Sequence, residues 1–63
     1  MIFYLTKHIS GKQHQILGYF ESLNDLEKAL NEDEELAKEL SGNGKIYKMK
    51  PGFMPERELV REL

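Results

Sequence analysis

With 63 residues the chain is enough for one domain, near the lower limit at which a hydrophobic core folds without help. It is 40% hydrophobic and 32% charged and has no cysteine, a composition ordinary for a soluble globular domain that excludes disulfide staples and thiolate metal ligands. The net charge of −2 is small but unevenly placed: residues 21–40 hold eight acids against Lys28 and Lys38, for −6, while the remainder holds seven bases against three acids, for +4.

The apolar runs are too short for a transmembrane helix, and Met1-Ile2-Phe3-Tyr4-Leu5 leads directly into Thr6-Lys7-His8 without the pattern of a signal peptide. A cytoplasmic location with no membrane contact is therefore expected. Stability has to come from packing, from the C-terminal segment or from a partner subunit.

Residues 1–21 read as a β-hairpin. Ile2, Phe3, Tyr4, Thr6 and Ile9 suit a pleated surface, and a second run, Gln15-Ile16-Leu17-Gly18-Tyr19-Phe20, follows a polar break. A two-residue type II′ turn over Gly11-Lys12 pairs Phe3 with Phe20, Tyr4 with Tyr19, Leu5 with Gly18 and Thr6 with Leu17. The coincidence of two aromatic pairs supports that register.

Residues 22–41 read as one amphipathic helix. Leu23, Leu26, Ala29, Leu30, Leu36, Ala37 and Leu40 fall within about 140° of arc at the helical period. Ser22 is a suitable N-cap, Asp25 follows three residues later, and Gly42 suits the left-handed position after the helix. Asp33 lands inside the apolar arc. The expectation is a continuous helix; the alternative is a break at which Asp33 caps a second short helix.

A third strand is expected over 45–50, ended by Pro51-Gly52. Residues 55–63 read as a short C-terminal helix, with Pro55 at its first position and a narrow stripe of Leu59, Val60 and Leu63, either docked or frayed. The fold class is α+β: a single domain, β-β-α-β, with a three-stranded antiparallel sheet in the order 2-1-3, a helix on one face and the C-terminal helix beyond.

Alternation puts Phe3, Leu5, Ile9, Ile16 and Phe20 on one sheet face and Ile2, Tyr4, Thr6, Leu17 and Tyr19 on the other. Both faces are apolar, and one helix covers only one of them. The second has to be met by the C-terminal helix, a second copy of the chain or a target. Tyr4, Leu17, Tyr19 and Tyr47 are the candidate protein-binding residues.

No catalytic, cofactor or metal site emerges. In the expected register His8 and His14 point to opposite faces, away from a shared metal. Glu32-Asp33-Glu34-Glu35 lacks the ligand spacing of a calcium loop, and Ser41-Gly42-Asn43-Gly44-Lys45 lacks that of a phosphate loop. Ser10, Ser22 and Ser41 sit at turns or caps without a base beside them.

The expected function is therefore a non-enzymatic protein-interaction module without cofactors, binding a protein partner or itself as a homodimer. Single-stranded nucleic-acid binding by Tyr4, Tyr19 and Tyr47 with Lys45, Lys48 and Lys50 is one alternative, opposed by the acidic helix, and a homodimeric structural protein is the other. In size and layout the chain is similar to short open reading frames of bacteriophages and mobile elements, a likeness carried by no particular residue. Within the interaction-module reading, the role expected is that of a small regulator or inhibitor.

Overall fold

The computed structural model, which describes residues 1–50 and 56–63, contains β1 (Ile2–Ser10), β2 (Gln13–Phe20), α1 (Leu23–Glu32), α2 (Glu34–Leu40), β3 (Gly44–Lys50) and β4 (Glu56–Glu62). The strands form one antiparallel sheet in the order β2-β1-β3-β4. The expected order of the first three strands is present, and a fourth extends it.

The hairpin follows the expected register at both ends and departs from it in the middle. Phe3, Tyr4 and Leu5 pair with Phe20, Tyr19 and Gly18, and Ser10 pairs with Gln13 around Gly11-Lys12. Gly11 has φ +55° and, among the described residues, no non-glycine has positive φ, as a type II′ turn requires. Between these ends Leu17 is an extra residue on β2 and Ile9 an extra residue on β1, so Thr6 pairs with Ile16 rather than Leu17. The two irregularities cancel, which is why the turn and the aromatic pairs agree with a register that fails between them. A one-residue slip turns side chains to the other face. Ile16 consequently moves to the face of Thr6.

The helix is broken, contrary to the continuous one expected. Asp33 (φ −119°, ψ 92°) ends α1 and starts α2, and its Oδ1 accepts from the Leu36 N–H at 3.0 Å. In an unbroken helix the carboxylate would face the core, where an unpaired charge is costly. At the break it caps a helix instead, worth about 1 kcal/mol. Ser22 caps α1 as expected, its Oγ accepting from the Asp25 N–H at 3.1 Å. Gly42 takes φ +74° just past α2.

The expected C-terminal helix is instead strand β4, lying along the outer side of β3. Pro55 and the Pro51-Gly52 stop lie outside the described residues. Nine residues with three apolar side chains do not sustain a helix alone, whereas pairing with β3 satisfies a ladder of backbone groups. Charge also matches across the ladder: Lys48 and Lys50 meet Glu58 at 3.5 and 3.3 Å, and Lys45 meets Glu62 at 3.7 Å. At the far end Gly42 N–H donates to Leu63 O at 2.8 Å and Leu63 N–H donates to Gly44 O at 2.9 Å. This ties the chain end to the turn after α2.

The core lies between the helices and one sheet face: Leu26, Leu30 and Leu40 bury against Leu5 and Ile46. Phe3, Phe20, Leu23, Leu36, Val60 and Leu63 surround them. Val60 and Leu63, part of one of the three candidate covers for the other face, belong to this core. Arg61 reaches Glu27 of α1 at 2.9 Å, and Lys7 pairs with Glu39 of α2, so sheet cations neutralise two of the helix acids. Among the described residues no helix is long and apolar enough to cross a membrane.

Candidate binding face

The sheet face turned away from the helices is built in rows, because directly paired residues of antiparallel strands point to the same side. The central row runs Tyr19–Tyr4–Tyr47–Leu59 across all four strands. Ile2, Met49 and Arg57 form the next row on one side, and Ile16, Thr6, Lys45 and Glu62 the next on the other. Beyond the second of these lies the pair His8 and His14.

The tyrosines are in mutual contact. Tyr4 stacks on Tyr47 with ring centroids 5.3 Å apart at 21°, and meets Tyr19 at 5.9 Å and 46°. The Arg57 guanidinium carbon lies 5.1 Å from the Tyr47 ring centre, a cation–π contact. Enclosed by its neighbours, Tyr4 is only 5% exposed, although no described element packs over it. The outer members are open: Tyr19 is 59% exposed, Ile16 48%, Leu59 46% and Ile2 44%. Thr6 is buried, and its hydroxyl donates to Lys45 O at 3.3 Å.

Of the four residues nominated from sequence, Tyr4, Tyr19 and Tyr47 share one row. Leu17 does not join them: it is the unpaired residue of the β2 bulge, and Ile16 takes its expected place opposite Thr6. Leu59, Met49 and Arg57 were not nominated. Leu59 was hidden by the helical reading of its segment, although Arg57 and Leu59 already stand at the two-residue spacing of one strand face. Met49 follows Tyr47 at the same spacing.

Lys48 and Lys50 lie on the opposite side. Lys48 pairs with Phe3, whose ring belongs to the core, so of the three lysines grouped with the tyrosines only Lys45 shares their face. On the helix side, a hydrogen bond from Lys50, together with the charges of Lys48 and Lys50, lowers the Glu58 pKa below its ordinary value.

The histidines are not on opposite faces. The bulges bring His8 and His14 directly across from one another, with rings 5.3 Å apart and edge to face. His8 Nε2 lies 2.7 Å from Gly11 O. They border an open groove of about 420 Å³ with Asn43, Lys45, Glu62 and Leu63. Among the described residues no three His, Cys, Asp or Glu side chains converge as a metal site requires.

No protein-family model, curated protein or solved structure matches this chain.

Proposed function

We propose that the chain is a non-enzymatic protein-interaction module, a small cytoplasmic regulator or inhibitor of the phage or mobile-element kind, whose working surface is the tyrosine face. One observation carries this reading: the sheet has an apolar, aromatic centre on the side that the helices leave uncovered. Tyr19, Ile16, Leu59 and Ile2 are each more than two-fifths exposed there. Antiparallel sheets with one solvated side normally present polar residues on it, and contiguous apolar patches of this kind mark interaction sites. The composition is also that of an interface centre, rich in Tyr with Met and Arg beside it, with charge confined to the rim.

Stacking of single-stranded bases is disfavoured by the same geometry. A phosphate backbone needs a basic lining, and this face offers Arg57 and a Lys45 already set against Glu62.

The experiment is photo-crosslinking in the native host with a benzophenone side chain installed in place of Tyr19 or, as control, of Glu35 on α2. Protein adducts from position 19 and none from position 35 are expected. Equal adducts from both positions, or none from either, would sink the reading.

A further inference from the structure

Resting on that reading, we infer that the occupant of the tyrosine face is a second copy of this chain, packed sheet to sheet about a two-fold axis that runs roughly across the strands along the Tyr19–Tyr4–Tyr47–Leu59 row.

The argument begins with the placement of charge. Arg57 pairs with Met49 and Glu62 with Lys45, and Met49 and Lys45 flank Tyr47 two residues to either side. The extra residue at Val60 offsets the unequal spacing of Arg57 and Glu62 from Leu59. The two charges therefore stand at equal distances on opposite sides of the central row, both on β4. A two-fold axis along that row exchanges one side for the other. It sets Arg57 of each copy over Glu62 of its mate, twice by symmetry, while the tyrosine rows meet in the middle. An isologous contact needs this kind of self-complementarity.

Area agrees. Four strands of seven to nine residues, at ~4.8 Å between strands and ~3.4 Å per residue, present roughly 450 Å² of plane per copy. Two such faces, with the relief of their side chains, reach the roughly 1,000 Å² that a specific interface needs. Repulsion is small as well. The acidic helices lie behind their own sheets, and with sheets stacked ~10 Å apart they are separated by well over the ~8 Å Debye length. The result is a four-layer α-β-β-α dimer in which both faces of each sheet are covered.

The sheet edges offer the rival arrangement. The β4 edge carries Glu56, Arg57, Glu58, Arg61 and Glu62, a charged guard against strand addition. The β2 edge, Gln13 to Phe20, carries no Asp, Glu, Lys or Arg, but the bulge at Leu17 interrupts it.

Light scattering across a concentration series, with circular dichroism to confirm folding, tests the inference. The wild-type chain is expected at twice its chain mass, and Tyr19→Ser, at an exposed position, is expected to weaken the dimer at least tenfold while the fold persists. Arg57→Glu and Glu62→Arg are each expected to weaken it about tenfold, because each variant faces its own like charge. Mixing these two variants is expected to restore association, since every 57–62 contact in the mixed dimer is then between opposite charges. The rescue is independent of the Tyr19 variant and would not follow from a role of either residue within its own chain. A monomer at every concentration, or a dimer indifferent to all three substitutions, would overturn the inference, the second outcome pointing to the β2 edge. A monomer that still crosslinks from position 19 to another protein would overturn the dimer and leave the interaction module standing. Absence of crosslinks would remove the module itself.

Discussion

The two faces of this sheet are built from similar side chains and meet different fates. On the helix side Leu5 and Ile46 are 2% and 0% exposed, sealed by Leu26 and Leu40 and bordered by ion pairs from Lys7, Arg61, Lys48 and Lys50. On the other side Tyr4 is 5% exposed, and among the described residues it is the rings of Tyr19 and Tyr47, beside it within the same sheet, that lie against its own. The first face is closed by elements brought from elsewhere in the chain. Among the described residues, the second is closed only by its own neighbours. Burial alone does not distinguish a core residue from the centre of an interface; what supplies the cover does.

Substitutions that separate the faces make this contrast measurable. The largest effect is expected from Leu26→Ala, which empties a fully buried site and should lower the unfolding free energy by about 2–5 kcal/mol in urea titration. A loss below 1 kcal/mol would mean that the helix side is not the true core. Next is Gly44→Ala, whose new methyl would stand 3.0 Å from Leu40 Cβ and 3.2 Å from Leu63 Cδ1. Overpacking of that kind costs about 1–3 kcal/mol, read as a lower urea midpoint at unchanged slope. Asp33→Ala removes the cap of α2 and should cost about 1 kcal/mol, with faster amide exchange in 34–40 than in α1.

Tyr19→Ser removes one cross-strand aromatic contact and is expected to cost no more than about 1 kcal/mol in the dissociated chain. A Tyr19→Ser loss as large as that of Leu26→Ala would erase the distinction between the faces. The smallest effect concerns Glu58. Its folded pKa is lowered, first by the Lys50 hydrogen bond and then by the charges of Lys48 and Lys50, so the unfolded chain takes up the proton more readily. Its contribution is therefore present above the ordinary value of 4.5 and is lost as the pH falls through the folded pKa. Glu58→Gln should flatten that part of a stability-versus-pH curve by a small amount, because the group is exposed.

Local patterns were legible wherever they were self-contained. Ser22, the Gly11-Lys12 turn, the pairing of Phe3 with Phe20 and of Tyr4 with Tyr19, and the leucine stripe each follow from neighbours in sequence or from one turn geometry. The misreadings share a cause. Asp33 breaks its helix because an unpaired carboxylate would otherwise face a core that exists only once the sheet is in place. Leu17 and Ile9 are extra residues whose effects cancel over the hairpin, so neither end betrays them. Residues 56–62 look helical by composition, and only β3 at their side, with lysines at 45, 48 and 50 opposite glutamates, makes a strand the better solution.

The chain by itself thus determined an α+β domain, an acidic helical layer and a sheet with two apolar faces, because alternation and helical periodicity are properties of consecutive residues. The tertiary structure decided which face the helices cover, that the C-terminal segment widens the sheet instead of covering its second side, and that Arg57 and Glu62 flank the tyrosine row symmetrically. Those outcomes depend on strand pairing between segments far apart in sequence, and no local pattern encodes them.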